Sequence, residues 1–119
     1  MTNRVIIAGS RTCPEKDYEL FERVYKILKN LQEDIEIVSG TARGADRFGE
    51  WFASECGFKV KRFPAEWDKY GKSAGYIRNK EMADYATHLI ALWDGVSRGT
   101  SHMIKLAKEK GLKVRVVKI

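Results

Sequence analysis

Short apolar runs alternate with longer segments of helical periodicity from one end of the chain to the other. The apolar runs lie at residues 4–8, 35–38, 58–63, 87–92 and 112–119. In this order each strand is followed by a helix, and a connection of helix length is what neighbouring parallel strands require. The pattern therefore predicts an α/β fold of three layers, with a parallel sheet of about five strands and four helices on its two faces.

The segments between these runs carry the start and stop signals of helices. Apolar residues recur at three- and four-residue spacing over 20–31, which is the period of a helix with one buried face. The other helices are expected over 45–56, from about 73 to 85, and over 100–110. Ser73 is suited to cap the third helix, while Gly57 and Gly111 close the second and the fourth.

The length of 119 residues and the 44% apolar content fit one domain, which we place at residues 1–119. The first residues, MTNRVIIAGSR, are only briefly apolar, unlike a secretory leader. No apolar run approaches the roughly 20 residues of a membrane span. Cys13 and Cys56 have no metal-binding spacing and are expected to stay thiols. We therefore expect a cytoplasmic protein with no membrane partner and no metal site.

The formal net charge is +6, from 22 Lys and Arg against 16 Asp and Glu. This excess favours an anionic partner, whether a nucleotide, a phosphate or a nucleic acid. Lysines that simply solvate helix faces would explain part of the same excess, and Lys105, Lys108, Lys110 and Lys113 fit that description. Charge alone leaves both explanations open.

Three connections are selected by the predicted topology as the place of a ligand site. In open parallel sheets, ligands bind beyond the carboxyl ends of the strands, where the winding reverses direction. That rule selects residues 9–16, 39–44 and 93–99, which read GSRTCPEK, SGTARG and WDGVSRG. Glycine and arginine are concentrated in these loops. The agreement between expected geometry and composition is the strongest functional signal in the sequence.

The stretch SGTARGAD, residues 39–46, has the composition of an anion-binding turn before a helix. Gly40 and Gly44 allow a ligand to approach the main chain, and free amides at the start of a helix favour an anion. Arg43 is suited to hold a phosphate through two parallel hydrogen bonds. Asp46 is placed either to accept from ribose hydroxyls or simply to complement the helix dipole. A plain tight turn would also explain the glycines.

The other two loops repeat parts of this arrangement. GSR, residues 9–11, follows the first strand and places Arg11 at the edge of the predicted crevice. WDGVSRGT, residues 93–100, again describes a helix start that is open to phosphate.

Cys13 is expected to be a small apolar residue rather than a nucleophile. His102, a lone histidine, is expected at the surface or as a capping residue.

The connection PAEWDKYGKSAGYIRN, residues 64–79, is long and mixes aromatic with basic side chains. Long loops inside compact domains often carry function. Trp67 or Tyr70 would stack on a base while cations such as Lys72 meet phosphates. Alternatively, the rings cover the sheet edge or an oligomer contact. The Arg-Asn pair at 78–79 is expected to face back into the crevice.

Four blocks of the sequence resemble the SLOG superfamily, and most of all its branch called YspA, cpYpsA-related SLOG. The matching pieces are GSR at 9–11, GTARGAD at 40–46, PAEWDKYGKSAGYIRN at 64–79 and GVSRGT at 95–100. They follow the order of the family and cover nearly the whole chain. The resemblance implies a Rossmann-like domain that binds nucleotides or nucleotide-derived ligands.

The resemblance also implies several uses, because relatives in this superfamily diverge. Some are predicted sensors of nucleotide signals in conflict systems, the LOG branch hydrolyses the N-glycosidic bond of nucleoside monophosphates, and the DprA branch handles single-stranded DNA. Members near this branch occur in phages, where a small binding domain would sequester an immune nucleotide signal. SLOG relatives are often homo-oligomers, so a dimer or tetramer is implied, with Tyr76 and Ile77 in a candidate contact.

One departure from the family pattern bears on catalysis. LOG hydrolases carry a PGGxGTxxE motif with a catalytic glutamate, whereas the equivalent stretch here is DGVSRGTSHM, with Met103 at the glutamate position. A thioether cannot move a proton or stabilise an oxocarbenium ion. We therefore expect no LOG chemistry by its usual route. If the chain is an enzyme, Asp46 or Glu50 is the carboxylate that replaces the glutamate.

The leading prediction is a domain that senses or sequesters a nucleotide-derived signal, such as an ADP-ribose-type or cyclic nucleotide ligand. The alternatives are a LOG-like hydrolase of an N-glycosidic or phosphate bond and a DprA-like binder of single-stranded nucleic acid. No cofactor is required, although Mg²⁺ would accompany some phosphate ligands. The predicted ligand-binding residues are Gly9, Ser10, Arg11, Gly40, Thr41, Arg43, Gly44, Ala45, Asp46, Trp67, Tyr70, Lys72, Arg78, Asn79, Gly95, Ser97, Gly99 and Thr100.

Overall fold

The computed structural model describes residues 2–31 and 34–119 and contains one five-stranded parallel sheet. The strands are β1 (Asn3–Gly9), β2 (Ile35–Ser39), β3 (Lys59–Arg62), β4 (His88–Trp93) and β5 (Lys113–Lys118). The helices are α1 (Tyr18–Leu28), α2 (Ala45–Cys56), the one-turn α3 (Trp67–Tyr70), α4 (Ala74–Tyr85) and α5 (Arg98–Glu109). The predicted Rossmann-like α/β fold is confirmed.

The order of strands across the sheet is β3-β2-β1-β4-β5. The chain winds outward from β1 to β3, then crosses back to β4 and continues to β5, so the winding reverses between β1 and β4. These two central strands pair in parallel from Val5, opposite His88, to Gly9, opposite Leu92. Their carboxyl ends therefore lie side by side at the reversal point, which is where a ligand crevice is expected in such a sheet.

The core has two halves, one on each face of the sheet. Alternation along β1 sends Val5 and Ile7 to the half that packs on α1 and α2, and Ile6 to the half under α4 and α5. Phe48 and Phe52 of α2 are fully buried in the first half. The three inner strands fit the prediction of strands buried on both faces, whereas the edge strands β3 and β5 are mostly exposed.

The helix ends agree with the sequence signals in part. Gly57 ends α2 with φ 75°, the left-handed conformation that a C-terminal glycine cap adopts. Ser73 precedes α4 but makes no capping hydrogen bond through its side chain, because a 3₁₀ turn over Gly71–Ser73 leads from α3 directly into α4. The fifth helix begins at Arg98, two residues before the predicted start at Thr100.

None of the helices in the described part of the chain has both the length and the apolar character needed to cross a bilayer.

A close approach of α2 to the sheet is made possible by Gly49. A Cβ at this position would lie 2.8 Å from the Cβ of Ile7, a contact that real side chains do not make. The missing side chain lets α2 settle directly on β1, next to the end of the strand that supports the crevice. An interior helical glycine would otherwise be a cost of about 1 kcal/mol relative to alanine.

We expect Gly49→Ala to destabilise the protein by about 1–2 kcal/mol, because overpacking against Ile7 outweighs the gain in helix propensity. Gly75→Ala is the matched control, since a Cβ there makes an ordinary 3.6 Å contact with Trp67. That control should be neutral or slightly stabilising. Urea unfolding of both variants measures the difference, and equal stabilisation of the two would mean that α2 has room above Ile7.

Candidate functional site

A cavity of about 450 Å³ lies beyond the carboxyl ends of β1 and β4, and we call it the switch-point cavity. Four parts of the chain line it: the end of β1 with the following loop, the start of α2 with the preceding loop, the segment from α3 to α4, and the β4–α5 connection with the first turns of α5. Three of these are the loops that the topology rule selected, so the predicted convergence of the loops is present in the fold.

The structure brings ten of the predicted ligand-binding residues to the wall of this cavity. They are Gly9, Arg11, Asp46, Trp67, Lys72, Arg78, Asn79, Ser97, Gly99 and Thr100. Eight others do not line it: Ser10, Gly40, Thr41, Arg43, Gly44, Ala45, Tyr70 and Gly95. Several of these eight support the lining residues instead. The buried Ser10, for example, accepts a hydrogen bond at its Oγ from the amide of Asp94 (3.0 Å).

Eight lining residues were not predicted as ligand contacts: Ala8, Thr12, Ala42, Gly75, Tyr76, Met82, Asp94 and Met103. Met82 and Met103 are almost completely buried and form an apolar floor. They carry the same helical periodicity as core residues, so their pattern alone did not distinguish them from the core. Tyr76 lies in the segment 64–79 and Asp94 in the segment 93–100. Their positions in these segments were the signal by which both could have been predicted as ligand contacts.

The expectation of free amides at the start of α2 and in the loop before it is wrong for Thr41, Ala42, Gly44 and Ala45. The amide of Thr41 donates to Ser39 Oγ (3.0 Å) and that of Ala42 to Asp46 Oδ2 (3.0 Å). The amide of Gly44 donates to the Glu15 carboxylate (2.8 Å), and that of Ala45 to the Ser10 carbonyl (3.2 Å). The Glu15 carboxylate therefore lies at the start of α2, and four amides in and next to the phosphate cradle predicted for Gly40–Gly44 are already paired within the protein.

A buried ion pair joins α2 to α4 beside the cavity. Arg78 Nη1 lies 4.0 Å from Asp46 Oδ2, and the two side chains are 14% and 8% exposed. The same nitrogen also donates a hydrogen bond to the carbonyl of Gly40. A Cβ at Gly40 would lie 2.5 Å from this guanidinium and 2.7 Å from the carboxylate. The absence of a side chain at Gly40 therefore leaves room for the pair.

Burial sets the protonation of this pair. It raises the pKa of Asp46 from 3.8 to about 6, although Arg78 and the hydrogen bond from the Ala42 amide oppose the shift. Burial likewise lowers the pKa of Arg78, and the nearby charge of Arg11 acts in the same direction. Arg11, Lys72 and Arg78 line the cavity together with the carboxyls of Asp46 and Asp94, so positive charge exceeds negative charge at the wall, and more so when Asp46 takes up a proton near pH 6.

The first turn of α5 opens onto the cavity from the opposite side. Asp94 Oδ1 accepts from the amides of Val96 and Ser97 (both 2.9 Å), which lowers the pKa of Asp94 and fixes the approach to the helix. Ser97 Oγ then caps α5 by accepting from the amide of Thr100 (3.4 Å). Within residues 2–31 and 34–119, the amides of Arg98 and Gly99 have no acceptor, and the space beside Gly99 is open.

Two candidate reactive groups lie outside the cavity. Glu50 accepts from Ser39 Oγ (2.7 Å) and forms an ion pair with Arg62 (2.9 Å), so it does not face the site and Asp46 is the carboxyl that remains. Cys13 is a buried core residue, as predicted. Burial, with the charges of Asp17 and Glu15, raises the pKa of its thiol to about 11, which makes it a poor nucleophile.

The fold, with a cavity at its switch point, is that of a Rossmann-like domain. The chain belongs to the YspA, cpYpsA-related SLOG family, whose profile matches residues 3–70. It is 32% identical over 117 residues to the Gene 61 protein of Mycobacterium phage D29, with 93% of each chain covered. Its fold is similar to that of DNA processing protein A (DprA) from Streptococcus pneumoniae, at a TM-score of 0.72 and 21% identity. That likeness covers 97% of this chain and half of the DprA chain, and it concerns the fold alone.

The raised pKa of Asp46 predicts a pH-dependent stability. The native protein keeps a proton on this carboxyl between about pH 4 and pH 6, where the unfolded chain has released it. Asp46 therefore stabilises the fold below this window, and the contribution is lost as the pH rises through it. As the pH rises from 4 to 7, we expect the free energy of unfolding of Asp46→Asn to increase by about 2–3 kcal/mol relative to that of wild type. Urea unfolding across this range measures it.

Asp84→Asn is the control, because its stability relative to wild type should change with pH in the opposite direction. Hydrogen bonds from Lys110 and Lys80 lower the pKa of the exposed Asp84, so this carboxylate stabilises the fold above its usual pKa. The Asp84→Asn variant should therefore lose stability relative to wild type as the pH rises. A difference between Asp46→Asn and wild type that does not change with pH would contradict the raised pKa of Asp46.

Proposed function

We propose that the switch-point cavity binds a nucleotide or a nucleotide-derived ligand, such as an ADP-ribose-type or cyclic nucleotide. The observation that carries this proposal is that three cationic side chains, those of Arg11, Lys72 and Arg78, line one cavity beside the first turn of α5, against the two carboxyls of Asp46 and Asp94. The volume of about 450 Å³ lies in the usual range of small-molecule sites. Membership of the SLOG family supports the same ligand class.

The phosphates would occupy the rim between Arg11, Lys72 and the first turn of α5, with Arg78 as a further cation in the cavity wall. Arg11 and Lys72 are exposed lining residues, and the amides of Arg98 and Gly99 point out of a helix start, where the dipole favours an anion. This placement replaces the Gly40–Gly44 loop as the phosphate site. Any Mg²⁺ would be bound through the phosphates of the ligand. No group of at least three His, Cys, Asp or Glu side chains suited to a metal occurs in the described residues.

The base and the ribose would lie nearer the apolar floor. Trp67 and Tyr76 are 52% and 53% exposed and stand at the cavity on either side of Gly75. Exposed aromatic rings at the edge of a site are suited to stacking on a base. Trp67 thus keeps its predicted role, and Tyr76 takes the one predicted for Tyr70. Asp46 would contact the ribose hydroxyls, as donor or acceptor according to its protonation.

The biological use that we propose is sensing or sequestration of a nucleotide signal by this single domain. The phage origin of the 32% identical relative favours sequestration. A homo-oligomer that associates through the side of α4 that carries Ile77 is part of the same proposal, since it would leave the cavity wall accessible.

Arg11→Ala should weaken nucleotide binding by about tenfold to a hundredfold, because a hydrogen bond to a charged group contributes about 1.5–3 kcal/mol net. Arg43→Ala is the matched control. Both arginines are exposed and both belong to connections at the carboxyl edge of the sheet, but Arg43 does not line the cavity. We expect the control to change affinity by less than about threefold. Calorimetric titration with AMP, ADP-ribose and cyclic nucleotides gives the comparison.

Equal losses of affinity in Arg11→Ala and Arg43→Ala would mean that the phosphates do not bind at the proposed rim. A single-stranded oligonucleotide in the same titrations tests the nucleic-acid alternative, which the net charge of +6 favours. The name of the S. pneumoniae protein, DNA processing protein A, suggests the same test. Binding of the oligonucleotide that falls steeply with salt, without binding of mononucleotides, would replace the present proposal with that alternative.

A second candidate function is hydrolysis of a nucleotide, and the buried Asp46 favours it. A carboxyl in a cavity with a pKa of about 6 can take up and release a proton near neutral pH. In an N-glycosidic cleavage, water would add to the ribose C1′ while the base leaves with a proton. Met103 lines the same cavity and cannot take this role, so Asp46 would act in its place.

Incubation of the protein with nucleoside monophosphates and ADP-ribose, followed by chromatography, separates binding from hydrolysis. Under the hydrolase alternative, release of the free base should fall by at least about a hundredfold in Asp46→Asn, since general acid–base catalysis contributes roughly 10²–10⁴-fold. Glu50→Gln is the control, because this carboxylate is held by Ser39 and Arg62 away from the cavity. Recovery of intact ligand with the wild-type protein would support binding without catalysis.

A further inference from the structure

A chain of hydrogen bonds runs along one wall of the switch-point cavity, from α4 to α5. Arg78 Nε donates to Asn79 Oδ1 at 3.2 Å. On the other side of the amide, Asn79 Nδ2 lies 3.4 Å from the carbonyl of Gly99 and 3.3 Å from His102 Nδ1. Asn79 is a polar residue with only 8% exposure, so these partners account for its burial.

The neighbours of Asn79 fix the orientation of its amide. A guanidinium can only donate a hydrogen bond and a backbone carbonyl can only accept one. The amide oxygen must therefore face Arg78, and the amide nitrogen must face Gly99 and His102. Because Nδ1 of His102 then faces a donor, it must be the unprotonated nitrogen of a neutral ring whose proton is on Nε2.

The surroundings of His102 favour this neutral form. The ring packs edge-on against Tyr76 of α4, with the ring centroids 4.6 Å apart. Burial, followed by the charge of Lys105 on its own helix, lowers the pKa of His102, and Glu109 on the same helix opposes them. Through Asn79 and Arg78, the chain also reaches Asp46 of α2.

We propose that neutral His102 is a positioning residue, which holds Arg78 in place through Asn79. By accepting from Asn79 Nδ2, His102 keeps Asn79 Oδ1 against Arg78 Nε, and so aims the guanidinium at Gly40, Asp46 and the cavity. A proton on Nδ1 would place two hydrogen-bond donors opposite each other, so Asn79 would lose the hydrogen bond that keeps its amide oxygen against Arg78. That Arg78 acts on a ligand rests on the proposed function, whereas its positioning is a property of the free protein.

Two substitutions distinguish the role of a hydrogen-bond acceptor at position 102 from that of the titratable imidazole ring. His102→Leu removes the acceptor, while His102→Asn offers an amide oxygen close to the position of Nδ1 and does not titrate. In the free protein, ¹⁵N NMR follows hydrogen exchange at Arg78 Nε–H, corrected for the intrinsic rate at each pH. We expect exchange to be about 3–10-fold faster in His102→Leu and within about twofold of wild type in His102→Asn, as loss of one neutral hydrogen bond implies.

The tautomer is a second readout, which is taken on the wild-type protein and does not depend on the folding of His102→Leu. His88 and His102 are the two histidines of the chain, so the His102→Asn spectrum assigns the imidazole signals. We expect the Nε2–H tautomer for His102. Acidification should speed the corrected Arg78 exchange more in wild type than in His102→Asn, which also separates His102 from Asp46 because both proteins keep Asp46. An Nδ1–H tautomer, or unchanged exchange in His102→Leu, would overturn the proposal.

Titration of the same proteins with AMP and ADP-ribose extends the test to binding. His102→Leu should weaken the affinity by about 3–10-fold, and His102→Asn should restore it. If the wild type binds none of these nucleotides, the proposed function fails while the exchange and tautomer results still decide the role of His102. If nucleotides bind but Arg78 exchange is unaffected, the positioning role fails and the proposed function stands.

Discussion

The buried pair of Asp46 and Arg78 is the interaction on which the shape of the switch-point cavity depends, because it joins α2 to α4 across the end of β2. At 4.0 Å, with both side chains mostly buried, the pair loses more hydration than its attraction returns, as the raised pKa of Asp46 indicates. It is therefore a poor source of fold stability. Under the proposed function, a ribose hydroxyl on Asp46 or a phosphate on Arg78 would supply hydrogen bonds that the pair by itself lacks.

The sequence was sufficient to predict the sheet and the place of the site. Strand and helix periods are local signals, and the parallel order follows from their alternation, so β1, β2, β4 and their loops could be located without knowledge of any contact. The reversal of winding then brought Arg11, Asp46 and Ser97 to one edge by topology alone. Gly57 was predictable for the same reason, since a glycine cap depends only on the conformation of the adjoining helix.

The features of the site that could not be predicted from the sequence depend on hydrogen bonds and packing between residues that are far apart in the chain. The Glu15 carboxylate accepts a hydrogen bond from the amide of Gly44, 29 positions away, and this bond is one reason why the proposed function places the phosphates at α5 instead of α2. Gly40 was expected to admit a ligand because glycine is permissive, but the same lack of a side chain serves the packing of Arg78. A composition that fits an anion loop is thus equally satisfied by an internal anion, and only the geometry distinguishes the two.

Helix α4 shows how a helix that packs on the core and also lines the cavity loses a clear amphipathic pattern. Its Met82 and Ala83 pack into the core, while Tyr76, Arg78 and Asn79 stand at the cavity or behind it. A helix that must both pack and line a site places polar groups beside its apolar stripe, so its amphipathic pattern weakens. Its buried residues accordingly include Asn79. Under the proposed function, this weakened pattern is an argument that the α4 wall contributes to the choice of ligand.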